Sequence, residues 1–264
     1  MPTALPAGAR LVGAWHLTAG DPRFGGLSAL VWRGGWLVGL NDSGVVIRFH
    51  PPGTGDDRVL LQDLPDGPGP AMRKSSRDSE ALLADPTGDG WWVAFEQYHS
   101  LWRFSRDFRR AEAHHPIDDP RWSVNRGIEG LLWNDGGPVA IAEIGDEAIR
   151  LTPSRRIAIV GTDRWISDAA RLADGRALVV LRSIGLGGIE SRVALLDETV
   201  RPMQVGPAAR VAVGALANLE GAAVEPLAGG GSRLWLVSDN DFWRSRQTVL
   251  VAIDLPPGWT PVAS

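Results

Sequence analysis

Five repeats of one pattern predict an all-β fold for this 264-residue chain. Each repeat is a short apolar run, a Gly-rich turn and a second apolar run, and one or two further apolar segments follow it. The unit recurs at about 40 to 50 residues, the period of a four-stranded propeller blade. No stretch keeps the i, i+3, i+4, i+7 spacing of an amphipathic helix over three turns. The expectation is a single β-propeller domain over residues 1–264. It has five four-stranded blades, or six if the segments 51–76 or 105–125 hide another.

In chain order, the first unit opens with "GLSALVWRGGWLVGLNDSG" at Gly26 and continues with "VVIRF" and "RVLLQDL". The second is "DSEALLADPTGDGWWVAFEQ" at Asp78, then "SLWRF" and "RRAEAHH". The third is "GIEGLLWNDGGPVAIAEIG" at Gly127, then "AIRLT" and "RRIAIV". The fourth is "ISDAARLADGRALVVLRS" at Ile166, then "RVALLD" and "ARVAVGAL". The fifth is "NLEGAAVEP" at Asn218 with "LWLVSDND" and "TVLVAIDL", and it ends one strand short. The turns "NDGG", "ADGR" and "TGDG" suit positive φ, so their acids Asp85, Asp89, Asp135 and Asp174 read as turn-formers.

The segment "ARLVGAWHL" near the N-terminus can supply the strand that the fifth unit lacks, closing the ring and removing its open edges. There are twelve Trp against one Tyr. Most of them, including Trp32, Trp91, Trp92, Trp133 and Trp235, fall on predicted strands and read as packing between blades.

Composition narrows the function. A net charge of -4 with no Lys/Arg run gives no electrostatic footprint for nucleic acid, and no apolar run is long enough to span a bilayer. The chain has no cysteine, which excludes disulfides, thiolate nucleophiles and Cys-ligated zinc. The first fifteen residues show no charged region followed by an apolar one, so no secretory signal is read there.

The repeats place acids at equivalent positions. The first strands open on Ser28, Glu80, Glu129, Asp168 and Glu220, and the second strands end on Asp42, Glu96, Glu143, Arg182 and Asp239. In an antiparallel hairpin the start of one strand lies beside the end of its partner, so both sets share one end of each blade. A propeller turns its first strands toward the axis, and the acids therefore converge on one mouth of the channel. So many carboxylates together need a counter-charge. An all-oxygen set without Cys favours Ca²⁺, then Mg²⁺ or Mn²⁺, over zinc. The expected metal ligands are Glu80, Glu129, Asp168, Glu220, Asp239 and Asp42, with Glu96 or Glu143 as the general base. Arg77, Arg126, Arg182, Asn240, Arg244 and Arg246 mark the same rim and suit an anionic substrate.

Other chemistries find no motif: there is no G-x-S-x-G, H-E-x-x-H or P-loop, and the five His show no repeat register. His99 sits three residues past Glu96, within reach of the mouth. "DPTGDG" lacks the ligand spacing of an EF-hand loop.

"RDSEAL" with "FEQ", "NRGIEGLLW" with "AEIG", and "NLEGAAVEP" with "LWLVSDNDFWRSRQTVLVAIDL" resemble the bacterial phytase-like family described as having esterase-like activity. The resemblance runs from about Gly25 to Leu255. In that family the second strand of the fourth blade often ends Leu-Glu-Arg, whereas here "LRS" brings Arg182 and Ser183. The resemblance implies a β-propeller hydrolase exported to the periplasm. Related propellers, the β-propeller phytases and calcium-dependent lactonases, hold divalent cations with channel-mouth carboxylates. The expectation is a Ca²⁺-dependent hydrolase of an anionic small-molecule ester, most simply a phosphoester, acting as a monomer. It would be cytoplasmic if the chain carries no export signal. The alternatives are a lactonase-like hydrolase and a non-catalytic, metal-stabilised propeller that binds a ligand or protein partner.

Overall fold

Short β-branched and aromatic runs bounded by Gly and Pro give strands almost throughout. The computed structural model describes residues 4–70, 74–86, 88, 90–117, 122, 126–186, 188–212, 218–240 and 247–263, with the side chains of 74 and 75 left aside. The first strand, β1 (Arg10–Leu17), stands apart from the repeat. Blade one is β2 (Leu27–Arg33), β3 (Trp36–Asn41), β4 (Val45–Phe49) and β5 (Val59–Asp63). A single helical turn, α1 (Lys74–Arg77), leads into blade two: β6 (Ser79–Ala84), β7 (Gly90–Phe95), β8 (Ser100–Ser105) and β9 (Ala111–Pro116). Blade three is β10 (Ile128–Asn134), β11 (Gly137–Ala142), β12 (Glu147–Arg150) and β13 (Arg155–Val160). Blade four is β14 (Trp165–Arg171), β15 (Ala177–Gly185), β16 (Gly188–Asp197) and β17 (Met203–Val211). Blade five is β18 (Asn218–Pro226), β19 (Ser232–Asp239) and β20 (Thr248–Leu255), and β1 is its fourth strand.

The ring closes as the repeat predicts. β1 pairs antiparallel with β20, from Arg10 opposite Asp254 to Leu17 opposite Thr248. Blades three and four are further stitched along their outer edges, where β13 and β17 run parallel at Ile159–Met203 and Val160–Gln204. The segments 51–76 and 105–125 hold no further blade among their described residues. The outer strand of blade four begins at Met203, upstream of the stretch "ARVAVGAL" expected to form it.

Each sheet is apolar on both faces because each is covered on both sides. Five buried clusters result, one between every pair of neighbouring blades. Adjacent tryptophans show the alternation. Trp91 packs toward blade one with Val38 and Leu40, while Trp92 packs toward blade three with Ile128 and Leu131. No helix among the described residues is long and apolar enough to cross a membrane.

A bulge interrupts the pairing of every innermost strand at one equivalent place: Ser28, Glu80, Glu129, Ser167 and Glu220 are each skipped in the register. A bulge leaves one residue unpaired and re-aims its side chain. The residue after it is Ala29, Ala81, Gly130 or Gly221 in four blades, because the inner strands crowd together there. A Cβ on Gly221 would lie 2.9 Å from the carbonyl carbon of Ala29 and 3.0 Å from the amide nitrogen of Leu30.

Candidate functional site

The mouth of the ring is built by the hairpin ends. The backbone N–H groups of Asp42, Glu96 and Glu143 donate to the carbonyls of Gly26, Asp78 and Gly127 at 3.0, 2.7 and 3.0 Å. These bonds fix the end of each second strand beside the start of the first, and the bulge turns Glu80, Glu129 and Glu220 inward. All of these acids are buried.

Two carboxylate triads result. In the first, one oxygen each from Asp78, Glu80 and Glu96 lie within 4.8 Å of one another, and in the second the same holds for Glu96, Glu129 and Glu143. Glu96 belongs to both and joins blade two to blade three. Burial pushes the Glu80 carboxyl well above the usual carboxylate range, and the charges of Glu129, Asp78 and Glu220 and a hydrogen bond to Asp78 push the same way. Burial likewise raises Glu129; Arg182 opposes the rise, while Glu220, Glu143 and Glu96 add to it.

Arg182 occupies the other side of the mouth. Its Nη2 donates to Glu143 Oε1 at 3.0 Å, and its Nη1 donates to Asn218 Oδ1 at 3.2 Å and to Glu220 Oε1. The Asn218 amide also donates to Glu220 Oε1. The guanidinium lies 5.8 Å from the centre of the Trp165 ring. Burial works against its charge, but Glu220, Glu129 and Glu143 outweigh that and raise its pKa, so it stays protonated.

The structure separates the remaining expected residues. Asp168 does not occupy the position equivalent to Glu80; Ser167 does, and Asp168 sits one residue deeper, where the other blades carry Ala or Gly. The Asp168 carboxylate accepts N–H bonds from Ala169 at 2.7 Å and Ala222 at 2.6 Å, and a third from Leu30. It therefore plugs the axis by satisfying inward-facing backbone donors that no strand can pair. Burial raises its pKa against the lowering effect of those three bonds. Asp42 and Asp239 are buried at their strand ends but belong to neither triad, and Asp42 Oδ1 accepts from Ser43 Oγ at 3.0 Å.

Arg77 turns away from the mouth. Its Nε donates to the Gly69 carbonyl at 3.1 Å and its Nη1 to the carbonyls of Leu64 and Asp66, clamping the loop before α1. Asn240 Oδ1 accepts the Gly26 N–H at 2.8 Å, tying blade five to blade one. Arg126 is exposed. Arg244 and Arg246, like Asp241 and Asp89, lie outside the described residues. His99 packs edge-on against Trp122, with ring centres 5.4 Å apart.

Asp78 and Asn218 were not legible as site residues. They stand at equivalent places, two residues before Glu80 and Glu220, but the other blades carry Gly26, Gly127 and Trp165 there, so no repeated polar pattern marks the position.

The donors fit a hard divalent cation. They are all oxygen, neither triad contains His, and the chain contains no Cys. Packed carboxylates raised by burial and then by one another's charge are also what a cation would relieve.

Residues 22–147 match the model of a family described as "Phytase-like: Esterase-like activity of phytase". They span the first two blades and the inner part of the third. No curated protein matches the chain. Among solved structures, the glutaminyl cyclase of Myxococcus xanthus is similar, with a TM-score of 0.57 at 13% identity, covering 94% of this chain and 97% of that one. Virginiamycin B lyase from Staphylococcus aureus is more distant, with a TM-score of 0.48 at 10% identity, covering 96% and 90%. At such identities the likeness is one of fold. The chain is thus a five-bladed β-propeller whose residues 22–147 carry the sequence pattern of the phytase-like family with esterase-like activity.

Proposed function

We propose that this propeller is a divalent-metal-dependent hydrolase of an anionic small-molecule ester, with Ca²⁺ as the cation and a phosphoester as the substrate. The pair of triads sharing Glu96 carries this reading. Glu80, Glu96 and Glu129, with Asp78 beside them, would hold the cation. When bound, it supplies positive charge to the substrate's anionic oxygens at the bottom of an otherwise acidic mouth. Of the two candidates for the base, we assign Glu96 to the cation because it belongs to both triads, and Glu143 to the base.

Glu143 would take a proton from the attacking water as the water oxygen bonds to phosphorus or to the acyl carbon. It would return that proton to the oxygen of the leaving group as the ester bond breaks. Arg182 fixes the Glu143 carboxylate through the bond at Oε1, so the base is oriented before substrate arrives. The buried walls keep bulk water from the reacting atoms. Following the resemblance, we place the enzyme in the periplasm as a monomer.

The test is a panel of p-nitrophenyl phosphate, p-nitrophenyl acetate, phytate and simple lactones, assayed with Ca²⁺ and with EDTA. Calcium-dependent turnover of a phosphoester supports the reading, turnover of lactones alone moves the substrate class, and no turnover of any substrate overturns it. A second reading, a non-catalytic binding propeller, is favoured by one observation: Arg77 and Asn240 are engaged with the backbone, so two of the side chains expected to grip an anion are spent on the fold.

A further inference from the structure

The hairpin turns at the end of the ring opposite the mouth leave clefts beside the blades. In the cleft beside blades three and four the arginines are matched by acids: Arg171 pairs with Glu198, and Arg176 with Asp174. The cleft between blades one and two is smaller, about 360 Å³, and its walls include Arg33, Trp36, Arg48, Leu60, Trp91 and Arg106. Among the described residues no Asp or Glu lines it.

Neutral groups hold the two arginines of blade one. Arg33, at the end of β2, has its guanidinium 4.8 Å from the centre of the Trp91 ring, and its Nη1 donates to the Gly90 carbonyl at 3.2 Å. Arg48, on β4, lies between Val38 and Leu60 in the strand register, and its Nη2 donates to Gln62 Oε1 at 3.0 Å. Gln62 is pinned in turn. Its Nε2 donates to the carbonyls of Asp107 and Phe108 at 2.9 and 3.1 Å, so blade two fixes which amide atom faces Arg48. No carboxylate pairs with Arg33 or Arg48 among the described residues. The blade-two acids Asp85 and Asp107 pair with Arg103 and Arg109.

Each of these two guanidiniums has five N–H donors and uses one of them. Their orientation is set by a carbonyl, an amide and an indole face, none of which cancels their charge. The same cleft has an apolar wall: Trp36 is half-buried, with its ring centre 3.6 Å from that of His50, and Leu60 is 48% exposed.

We propose that this cleft is a binding site, separate from the mouth, for a small organic phosphate or phosphonate that carries a flat apolar group. Two guanidiniums match the charge and the oxygen geometry of a phosphoryl dianion. The volume lies near the low end of the about 300 to 1,000 Å³ usual for ligand sites, which suits a small molecule over a peptide. Arg33 and Trp36 face each other at the opposite end of the β2–β3 hairpin from Asn41, so a ligand held there is clear of the acids of the mouth. The site does not depend on the chemistry proposed at the mouth.

Calorimetric titration of the full chain with phenylphosphonate in EDTA tests it. Phenylphosphonate has no ester bond to cleave, and EDTA removes any cation that could hold an anion at the mouth. The parent should bind one phenylphosphonate per chain, more tightly than inorganic phosphate, and should not bind the neutral benzyl alcohol. Arg33→Gln and Arg48→Gln should each weaken binding about tenfold or more, the worth of a hydrogen bond to a charged group. Glu143→Gln, at the mouth, should leave it unchanged. No saturable binding by the parent, parental affinity in both arginine variants, or a loss confined to Glu143→Gln would overturn the proposal, as would inorganic phosphate binding as tightly as phenylphosphonate. If an arginine variant does not fold, the parent decides the matter. Its Trp36 indole N–H resonance, assigned with Trp36→Phe, should move as phenylphosphonate saturates the protein, and a resonance that stays in place would overturn the proposal.

Discussion

The two sides of the mouth solve one electrostatic problem in different ways. On the blade-four side a guanidinium joins Glu143 and Glu220, so the charges are balanced within the chain. On the blade-two side Glu80 meets Asp78, Glu129 and Glu96, and burial together with those neighbours raises its affinity for a proton. The fold is the same on both sides: an inner-strand bulge and a second-strand end in each blade. Among the described residues the side-chain choice differs, and it decides whether a region meets its charge with a guanidinium or with a raised affinity for protons. A region of the second kind is where chemistry can be placed.

The strongest way to break the comparison is a pair of nearly isosteric changes in one hairpin. Glu143→Gln removes the proposed base on the balanced side, and kcat should fall by about 10² to 10⁴ with Ca²⁺ affinity nearly kept. Glu129→Gln removes a proposed ligand on the blade-two side, so its lost activity should return in part with excess Ca²⁺. Steady-state kinetics over a Ca²⁺ series read both effects. Full turnover in both variants would place the chemistry elsewhere.

Next in size is the metal's own effect on stability. An ion that binds only the folded state stabilises it by about 2.7 kcal/mol at one hundred times Kd. Thermal melts of chelated protein should therefore shift upward with Ca²⁺, and Glu129→Gln should shrink that shift. A melting temperature indifferent to Ca²⁺, Mg²⁺ and Mn²⁺ would mean that these carboxylates take up no cation.

The axis offers a control that no cation should influence. Asp168→Ala leaves the N–H groups of Ala222 and Leu30 without their acceptor. Each orphaned buried donor costs about 1 to 3 kcal/mol, so the variant should melt lower by a similar margin with and without Ca²⁺. Rescue by Ca²⁺ would return Asp168 to the ligand set.

Asp168 also shows where sequence reading stopped. The ring, the blade count and the closing strand were legible, because turn residues and apolar runs recur with a fixed period and the last unit visibly lacks a strand. The convergence of Glu80, Glu129 and Glu220 followed from the same period. A bulge, however, leaves no mark in a polarity pattern. Aligning "ISDAARL" with "DSEALLA" by polar residue put Asp168 against Glu80, while the backbone aligns Ser167 there. A one-residue slip exchanges a mouth position for an axis position. The roles of Arg77 and Asn240 were hidden for another reason. Their partners are backbone groups of distant loops, Gly69 and Gly26, and backbone groups have no sequence signature.

The expected effect that is sharpest in sign is the pH dependence of the chelated protein. Glu80 and Glu129 have folded-state pKa values raised well above the ordinary 4.5. An acid raised in the folded state binds protons more tightly folded than unfolded, so its protonation stabilises the fold. That contribution is full at pH values below the unfolded pKa, and it declines as pH rises from there toward the folded pKa. Stability measured by urea unfolding in EDTA should therefore fall on going from about pH 5 to pH 7, by about 1.4 kcal/mol per pH unit for each proton the folded state retains. Saturating Ca²⁺ should flatten the slope, because a bound cation favours the ionised carboxylates and removes the difference in protons held. Glu80→Gln should reduce the slope, and Glu220→Gln should reduce it less, by removing one of the charges that raise Glu80 and Glu129. A chelated protein whose stability rises across this range would mean that the blade-two carboxylates are already ionised and balanced, and the contrast between the two sides of the mouth would be lost.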